Sequence, residues 1–347
     1  MTIGMKKRLT NGLLAAAVFA AGSLYAGNPQ RAGSAGASEL LINPWAQTSG
    51  WAGANIAGVS GVEASFLNIA GTAQTEVTQV GFSNTQWLVG SDVSINSFGF
   101  NQQVGSSGVL GASVNMYDYG EWEITTTSNP DGGVGSISPS TAIIGLSYAQ
   151  RFTSSILGGV NVKFYSQNSR DLNANALCFD AGVQYITGEQ DQIKFGITLQ
   201  NVGPSASFEG DGKSIVLPVP RGNYTEAFNT KSATFELPAT LSIGGSYDFE
   251  FTNQKLTLAG AFRSNSFDKD EYLLGAEYTL IEKITLRAGY IVRDNRDEVI
   301  DTDVRSGVSA GLSLNLPLGD SDFRLDYSYQ PTDVFNGIHG IGVNFDL

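Results

Sequence analysis

From residue 74 to residue 347 the chain is written in runs of about ten residues that alternate apolar and polar side chains, the length of a tilted transmembrane β-strand. Successive side chains of a strand leave opposite faces. Ile193, Phe195, Ile197 and Leu199 therefore share one face, and Lys194, Gly196, Thr198 and Gln200 the other. The same split separates Leu177, Phe179, Ala181, Val183 and Tyr185 from Cys178, Asp180, Gly182 and Gln184. Nearer the C-terminus, Val308, Ala310, Leu312, Leu314 and Leu316 oppose Ser309, Gly311, Ser313 and Asn315. Phe323, Leu325, Tyr327 and Tyr329 oppose Arg324, Asp326 and Ser328.

A soluble β-sandwich alternates too, but its strands average about five or six residues. Charge and aromatic placement separate the two architectures. Lys163, Asp180, Lys194, Lys255, Arg263, Glu277, Arg287, Arg324 and Asp326 all fall on the polar face. A charge on the lipid face at the bilayer midplane costs about 2–4 kcal/mol, so these residues are predicted to line the lumen. Aromatic residues gather on the apolar face near strand ends. Tyr185, Phe249, Tyr278 and Phe345 lie beside short turns, and Phe164, Phe262, Tyr272, Tyr290 and Tyr329 beside long loops. Two interfacial girdles at headgroup level account for that distribution. The predicted fold is all-β: an antiparallel transmembrane β-barrel of fourteen strands.

Lys6, Lys7 and Arg8 precede an apolar run at 13–21, and Ala26 supplies a small residue for cleavage, so residues 1–26 read as a signal peptide. Removing its three basic residues leaves 17 Lys plus Arg against 33 Asp plus Glu, a net charge of about −16 that argues against nucleic acid as a partner. No later stretch has the roughly 18 consecutive apolar residues of a membrane helix. A barrel is the remaining spanning structure, because backbone polar groups in hydrocarbon must all be paired. The single cysteine, Cys178, excludes an internal disulfide and falls on the lumen face as a small wall residue.

The connections alternate in length. Those at 104–107, 153–155, 186–191, 250–253, 281–283 and 317–321 are short and are assigned to the periplasmic side. The others face outward, and two are long: 120–138, with its Asn129-Pro130-Asp131-Gly132-Gly133 turn cluster, and 202–238. The chain therefore divides into a signal peptide at 1–26, an N-terminal segment at 27–73 and the barrel at 74–347. Residues 27–73 are rich in Gly, Ala, Ser and Asn and carry Trp45 and Trp51. This segment is expected to fold into the lumen as a hatch; a periplasmic extension is the alternative.

Several short stretches resemble those of one family. They are Gly33-Ser34-Ala35-Gly36-Ala37-Ser38-Glu39-Leu40-Leu41-Ile42-Asn43-Pro44-Trp45-Ala46, Trp51-Ala52-Gly53-Ala54-Asn55 and Phe66-Leu67-Asn68-Ile69-Ala70-Gly71 at the N-terminal end. Phe195-Gly196-Ile197-Thr198-Leu199-Gln200-Asn201-Val202-Gly203-Pro204 and Phe235-Glu236-Leu237-Pro238 follow in the barrel. Together they resemble the PorV/PorQ family of FadL-like outer-membrane barrels of Bacteroidota. The resemblance implies a fourteen-stranded barrel with an N-terminal hatch and a role in the type IX secretion system. There, PorV-like members bind the C-terminal signal domain of a secreted protein and carry it to the surface attachment machinery.

Candidate sites are few. His339 is the only histidine, at the outer rim on the lipid-facing parity, and no serine motif stands near it. It reads as an interfacial aromatic, and no catalytic residue, cofactor or metal is expected. Asp294, Asp297, Glu298, Asp301 and Asp303 form an acidic loop without the ligand spacing of a calcium loop, suited to solvent or to divalent ions at lipid headgroups. The apolar run Ile215, Val216, Leu217 and Val219, broken by Pro218, lies in an outward loop, where it either caps the mouth or meets a partner. The lumen charges Lys163, Asp180, Lys194, Arg263, Glu277, Arg287, Arg324 and Asp326 either pair with one another and tether the hatch or mark a substrate path. The expectation is a non-enzymatic barrel of the outer membrane of a Gram-negative bacterium. Its expected partners are membrane lipid, lipopolysaccharide, and type IX secretion proteins or cargo C-terminal domains. A FadL-like transporter of hydrophobic small molecules is the alternative.

Overall fold

The computed structural model describes residues 28–31, 33–220, 222, 224–293, 304–319 and 321–347. The predicted signal peptide and the acidic run from Asp294 to Asp303 lie outside the described residues. Fourteen strands make one closed antiparallel barrel. They are β1 (Thr78–Trp87), β2 (Val93–Val104), β3 (Gly108–Asp118), β4 (Ser140–Arg151), β5 (Ile156–Ser169), β6 (Leu172–Thr187) and β7 (Ile193–Val202) in the first half. The second half holds β8 (Thr240–Phe251), β9 (Gln254–Asn265), β10 (Glu271–Leu280), β11 (Ile284–Arg293), β12 (Val308–Leu318), β13 (Ser321–Gln330) and β14 (Ile338–Asp346). Each strand pairs with the next, and β14 returns to β1 with Gln79 opposite Asp346 and Gln86 opposite His339. Closure leaves no unpaired strand edge in the hydrocarbon.

Alternation becomes two faces. On β6, Leu177, Phe179, Val183 and Tyr185 are exposed on the outer wall, while Cys178, Asp180 and Gln184 are buried within. Ile197, Leu258 and Leu312 face outward in the same way. Aromatic pairs sit at both ends of the wall, Phe262 with Tyr272 at 5.2 Å beside the long loops and Phe323 with Phe345 at 4.8 Å beside the short turns. His339 faces outward at the long-loop rim, its Nδ1 2.8 Å from the Tyr327 hydroxyl.

Residues 38–74 run inside the barrel as short helical turns joined by loops. Their backbone meets inward-facing side chains: the Gln184 amide donates to the Ile56 and Val59 carbonyls, Ser309 to the Gly50 carbonyl, and Gln79 Oε1 accepts from the Val62 N–H. Trp45 and Trp51 are almost wholly buried. Glycines at inward positions make the room. A Cβ on Gly311 would stand 2.9 Å from the Gly50 Cα, and one on Gly99 would stand 2.9 Å from the Trp45 ring. Strand β1 opens at Thr78, a few residues inside the predicted 74–347 barrel segment, because the Asn68 side chain accepts from the Ala70 N–H and starts a 3-10 helix through Gln74.

The long-loop side carries the irregular structure. Strands β6 and β7 slip register between Phe179 and Ala181, a bulge at which Asn201 adopts a φ of 60°. Beyond it, Ala206–Glu209 continues along β6 and pairs also with Thr234–Phe235. The two pieces raise the wall above the rim. Between them Ser214–Pro218 and Thr225–Asn229 form a separate two-stranded ribbon.

Arginine in place of Leu312, Ile197 or Leu258 is expected to cost about 2–4 kcal/mol near the midplane, since each side chain meets hydrocarbon. Urea titration of folding in lipid vesicles measures it. Ser313 and Thr198 face inward but are fully buried, so arginine there has no open lumen to enter.

Candidate functional site

Two features stand apart from the wall itself: a buried polar network in the lumen and the exposed ribbon. The network centres on Arg324 of β13. Its guanidinium lies 3.2 Å from Glu63 Oε1 of the N-terminal segment and 3.0 Å from Asp326 Oδ2. Glu63 Oε2 also accepts the Thr48 N–H at 3.1 Å, and Asn344 donates to both Glu63 and Asp326. Arg287 of β11 continues the chain, 2.6 Å from Glu277 and 3.8 Å from Asp326, with the Ser313 hydroxyl bonded between Arg287 and Asp326. Two guanidiniums thus serve three carboxylates, with neutral donors completing the set. Charges removed from water need this density of partners.

Three further groups of lumen charges lie apart from this network. Lys163 of β5 lies 2.8 Å from Asp180 of β6, and Asp180 also accepts the Asn201 N–H, fastening the bulge. Lys194 of β7 meets Asp248 of β8 at 2.8 Å. Arg263 of β9 and Arg293 of β11 share Glu271 of β10. The structure therefore brings Arg324, Asp326, Arg287 and Glu277 together and leaves Lys163, Lys194 and Arg263 at three other places around the wall.

Glu39, near the long-loop end, is held differently. It is buried among tyrosines, accepting from the Tyr119 hydroxyl at 2.5 Å and the Tyr165 hydroxyl at 2.9 Å, while Tyr117 donates to its backbone carbonyl. Burial, and then the bond to Glu39, holds the Tyr119 hydroxyl above its ordinary pKa, so it stays a protonated donor. Glu39 and Glu63 were not singled out by the alternation, which stops at residue 74. A signal was present: they are the two acidic residues of the 27–73 segment, and both reach polar partners on the wall.

The ribbon exposes its apolar side chains. Ile215, Val216 and Leu217 on one strand and Phe228 on the other are open to solvent, Val216 by 65% of its surface. Ile215 stands opposite Phe228 and Leu217 opposite Glu226; Val219 begins the turn, its N–H donating to the Tyr224 carbonyl at 3.1 Å. The start of the N-terminal segment meets the raised wall. Ala35 bridges Glu236, Arg31 forms a 2.6 Å ion pair with Glu236, and the Arg31 guanidinium lies 4.4 Å over the Phe267 ring.

The family model for the type IX secretion system membrane protein PorP/SprF matches residues 69–334, most of the chain. The chain belongs to the PorP/SprF family. No curated protein sequence matches it. Its fold is similar to solved membrane barrels at low identity. The monoaromatic hydrocarbon channel CymD aligns with a TM-score of 0.55 at 13% identity, over 88% of this chain and 97% of that one. A Pseudomonas aeruginosa FadL homologue aligns at 0.54 and 12%, over 88% and 97%. The P. putida toluene transporter TodX aligns at 0.52 and 11%, over 87% and 96%. At such identity the likeness establishes a FadL-like barrel fold for this PorP/SprF member.

Arg324→Ala leaves Glu63 and Asp326 buried without their shared cation and is expected to destabilise the protein by about 3–5 kcal/mol. Adding Glu63→Gln recovers a large part of that loss, because Asp326 keeps Arg287, Ser313 and Asn344. A double-mutant cycle by urea unfolding in vesicles reads the coupling.

Proposed function

We propose that this PorP/SprF-family chain is a non-enzymatic outer-membrane component of type IX secretion that engages cargo or attachment-complex proteins through its outward loops, in the manner implied for PorV/PorQ-like barrels. The observation that supports this reading most directly is the ribbon, an apolar surface held in open solvent on the long-loop side. The lumen behind it supports the same reading. Residues 38–74 act as a hatch, tied to the wall by Arg324 and Glu63, Tyr165 and Glu39, and Gln184 and Val59. The outer wall contacts membrane lipid, and the outward rim faces the lipopolysaccharide leaflet of a Gram-negative envelope.

A second reading, sideways passage of hydrophobic small molecules, draws on one feature. An apolar groove of about 470 Å³ indents the outer wall between Tyr148, Phe152, Val160, Ala181, Val183 and Ile197. Gly159 and Gly182 form its floor, and on their inner side Ile69 and Asn68 of the hatch stand against them. In the hatch-closed arrangement the groove opens to lipid. This favours partner engagement over transport.

Replacing Ile215, Val216, Leu217 and Val219 with serine is expected to abolish measurable binding of a purified type IX cargo C-terminal domain while leaving the barrel intact. Each fully buried large aliphatic contributes about 1.5–3 kcal/mol, and about 1.4 kcal/mol is tenfold in affinity. Retained binding would overturn the ribbon as the contact. Deleting residues 27–61 is expected to raise single-channel conductance in planar bilayers, since the lumen loses its filling; unchanged conductance would remove the hatch role.

A further inference from the structure

The ribbon's hydrogen bonding carries more information than its apolar side chains. In an antiparallel pair, opposed residues alternate between those that exchange both backbone hydrogen bonds and those whose N–H and C=O groups point away from the partner strand. The Thr230 N–H donates to the Lys213 carbonyl at 3.1 Å, and the Val219 N–H to the Tyr224 carbonyl at 3.1 Å. These two pairs set the phase. Ile215 with Phe228 and Leu217 with Glu226 are the bonded pairs, whereas Ser214 with Asn229, Val216 with Ala227 and Pro218 with Thr225 are not. Val216 and Pro218 therefore turn their backbone polar groups to one free edge, where the Ser214 N–H is already bonded to the Asp211 carbonyl, and Thr225, Ala227 and Asn229 turn theirs to the other. Among the described residues neither edge pairs with any strand.

The two edges are not equivalent. Pro218 removes a donor from the first edge, and Pro220 follows it where the chain leaves the strand. Proline at an edge blocks further pairing. The second edge has no proline and presents three consecutive outward donor and acceptor sets, at Thr225, Ala227 and Asn229. It lacks the lysines that shield exposed edges, its one charge being Glu226. A two-stranded ribbon by itself is marginal in water and becomes stable when a third strand joins it.

We infer that the Thr225–Asn229 edge is a strand-addition site that takes an extended segment of a secreted polypeptide as a third strand. This rests on the partner-engaging reading above and names how the partner is held. Backbone hydrogen bonds to Thr225, Ala227 and Asn229 supply sequence-independent affinity, and Phe228 and Glu226, on one face, select an apolar residue and a basic or polar one two positions apart.

The test uses the full-length barrel in detergent with the same purified cargo C-terminal domain as probe. Ala227→Pro removes an outward N–H without touching the ribbon's own hydrogen bonds. The inference expects Ala227→Pro to weaken binding by about tenfold or more. It also expects the Thr225, Ala227 and Asn229 amides, fast in hydrogen exchange when free, to become protected in the complex. Normal binding by Ala227→Pro, or three amides that stay unprotected in the bound state, would overturn strand addition. If the four-serine variant then still fails to bind, the apolar contact stands without the edge; if it binds as well, or if the unaltered chain binds no probe, both readings fall.

Discussion

A strand that shows hydrocarbon to the membrane keeps a polar inner face, and in this barrel that inner face is completed by protein. Lipid solves the outer half of the problem, accepting Ile197, Leu258, Leu312 and their neighbours. The inner half is solved by residues 38–74, whose carbonyls and two carboxylates accept from Gln184, Ser309, Tyr165 and Arg324 and whose Val62 N–H donates to Gln79. Without such partners these buried groups each carry a desolvation penalty. The inward glycines belong to the same solution, because Gly99 and Gly311 let an indole ring and a second backbone lie directly against the wall.

The strands were legible because alternation is local: a period of two over about ten residues records both solvents at once. Fourteen strands, their outward faces and the inward side of Lys163, Asp180 and Arg324 follow from it. Pairing partners were less legible, since they depend on which strands meet and on what fills the barrel. Arg324 reaches Glu63 across 261 positions of sequence. No periodic pattern connects them. The ribbon showed itself as an apolar run out of place, but its second strand, its pairing phase and its unequal edges required the register. The motifs at residues 33–55 that carried the resemblance to PorV/PorQ lie outside the stretch matched by the PorP/SprF family model. They describe residues packed inside the barrel, such as Trp45 and Trp51, more than any loop that distinguishes branches of secretion barrels.

Low identity with preserved fold is what this architecture permits. At 11–13% identity the barrel still superposes over most of its length on FadL-like structures. Any apolar residue suits an outward position and many polar ones suit an inward position. The residues with several partners, Arg324, Asp326, Asp180 with Asn201, and the glycines under the tryptophans, are expected to tolerate substitution least. The shared wall does not constrain the loops, and the proposed partner contact lies on one of them.

The course of the N-terminal segment also ties it to the closure of the barrel. Asn28 bonds Asn265 at the long-loop rim, whereas Thr78 begins β1 at the opposite rim beside Leu347. The chain thus traverses the whole bore before its first strand starts. Strand β1 is also one side of the β1–β14 seam. The segment that fills the bore, with Trp45 packed against the inward Gly99, thus runs directly into the strand that closes the barrel. Hatch and seam are one continuous piece of chain.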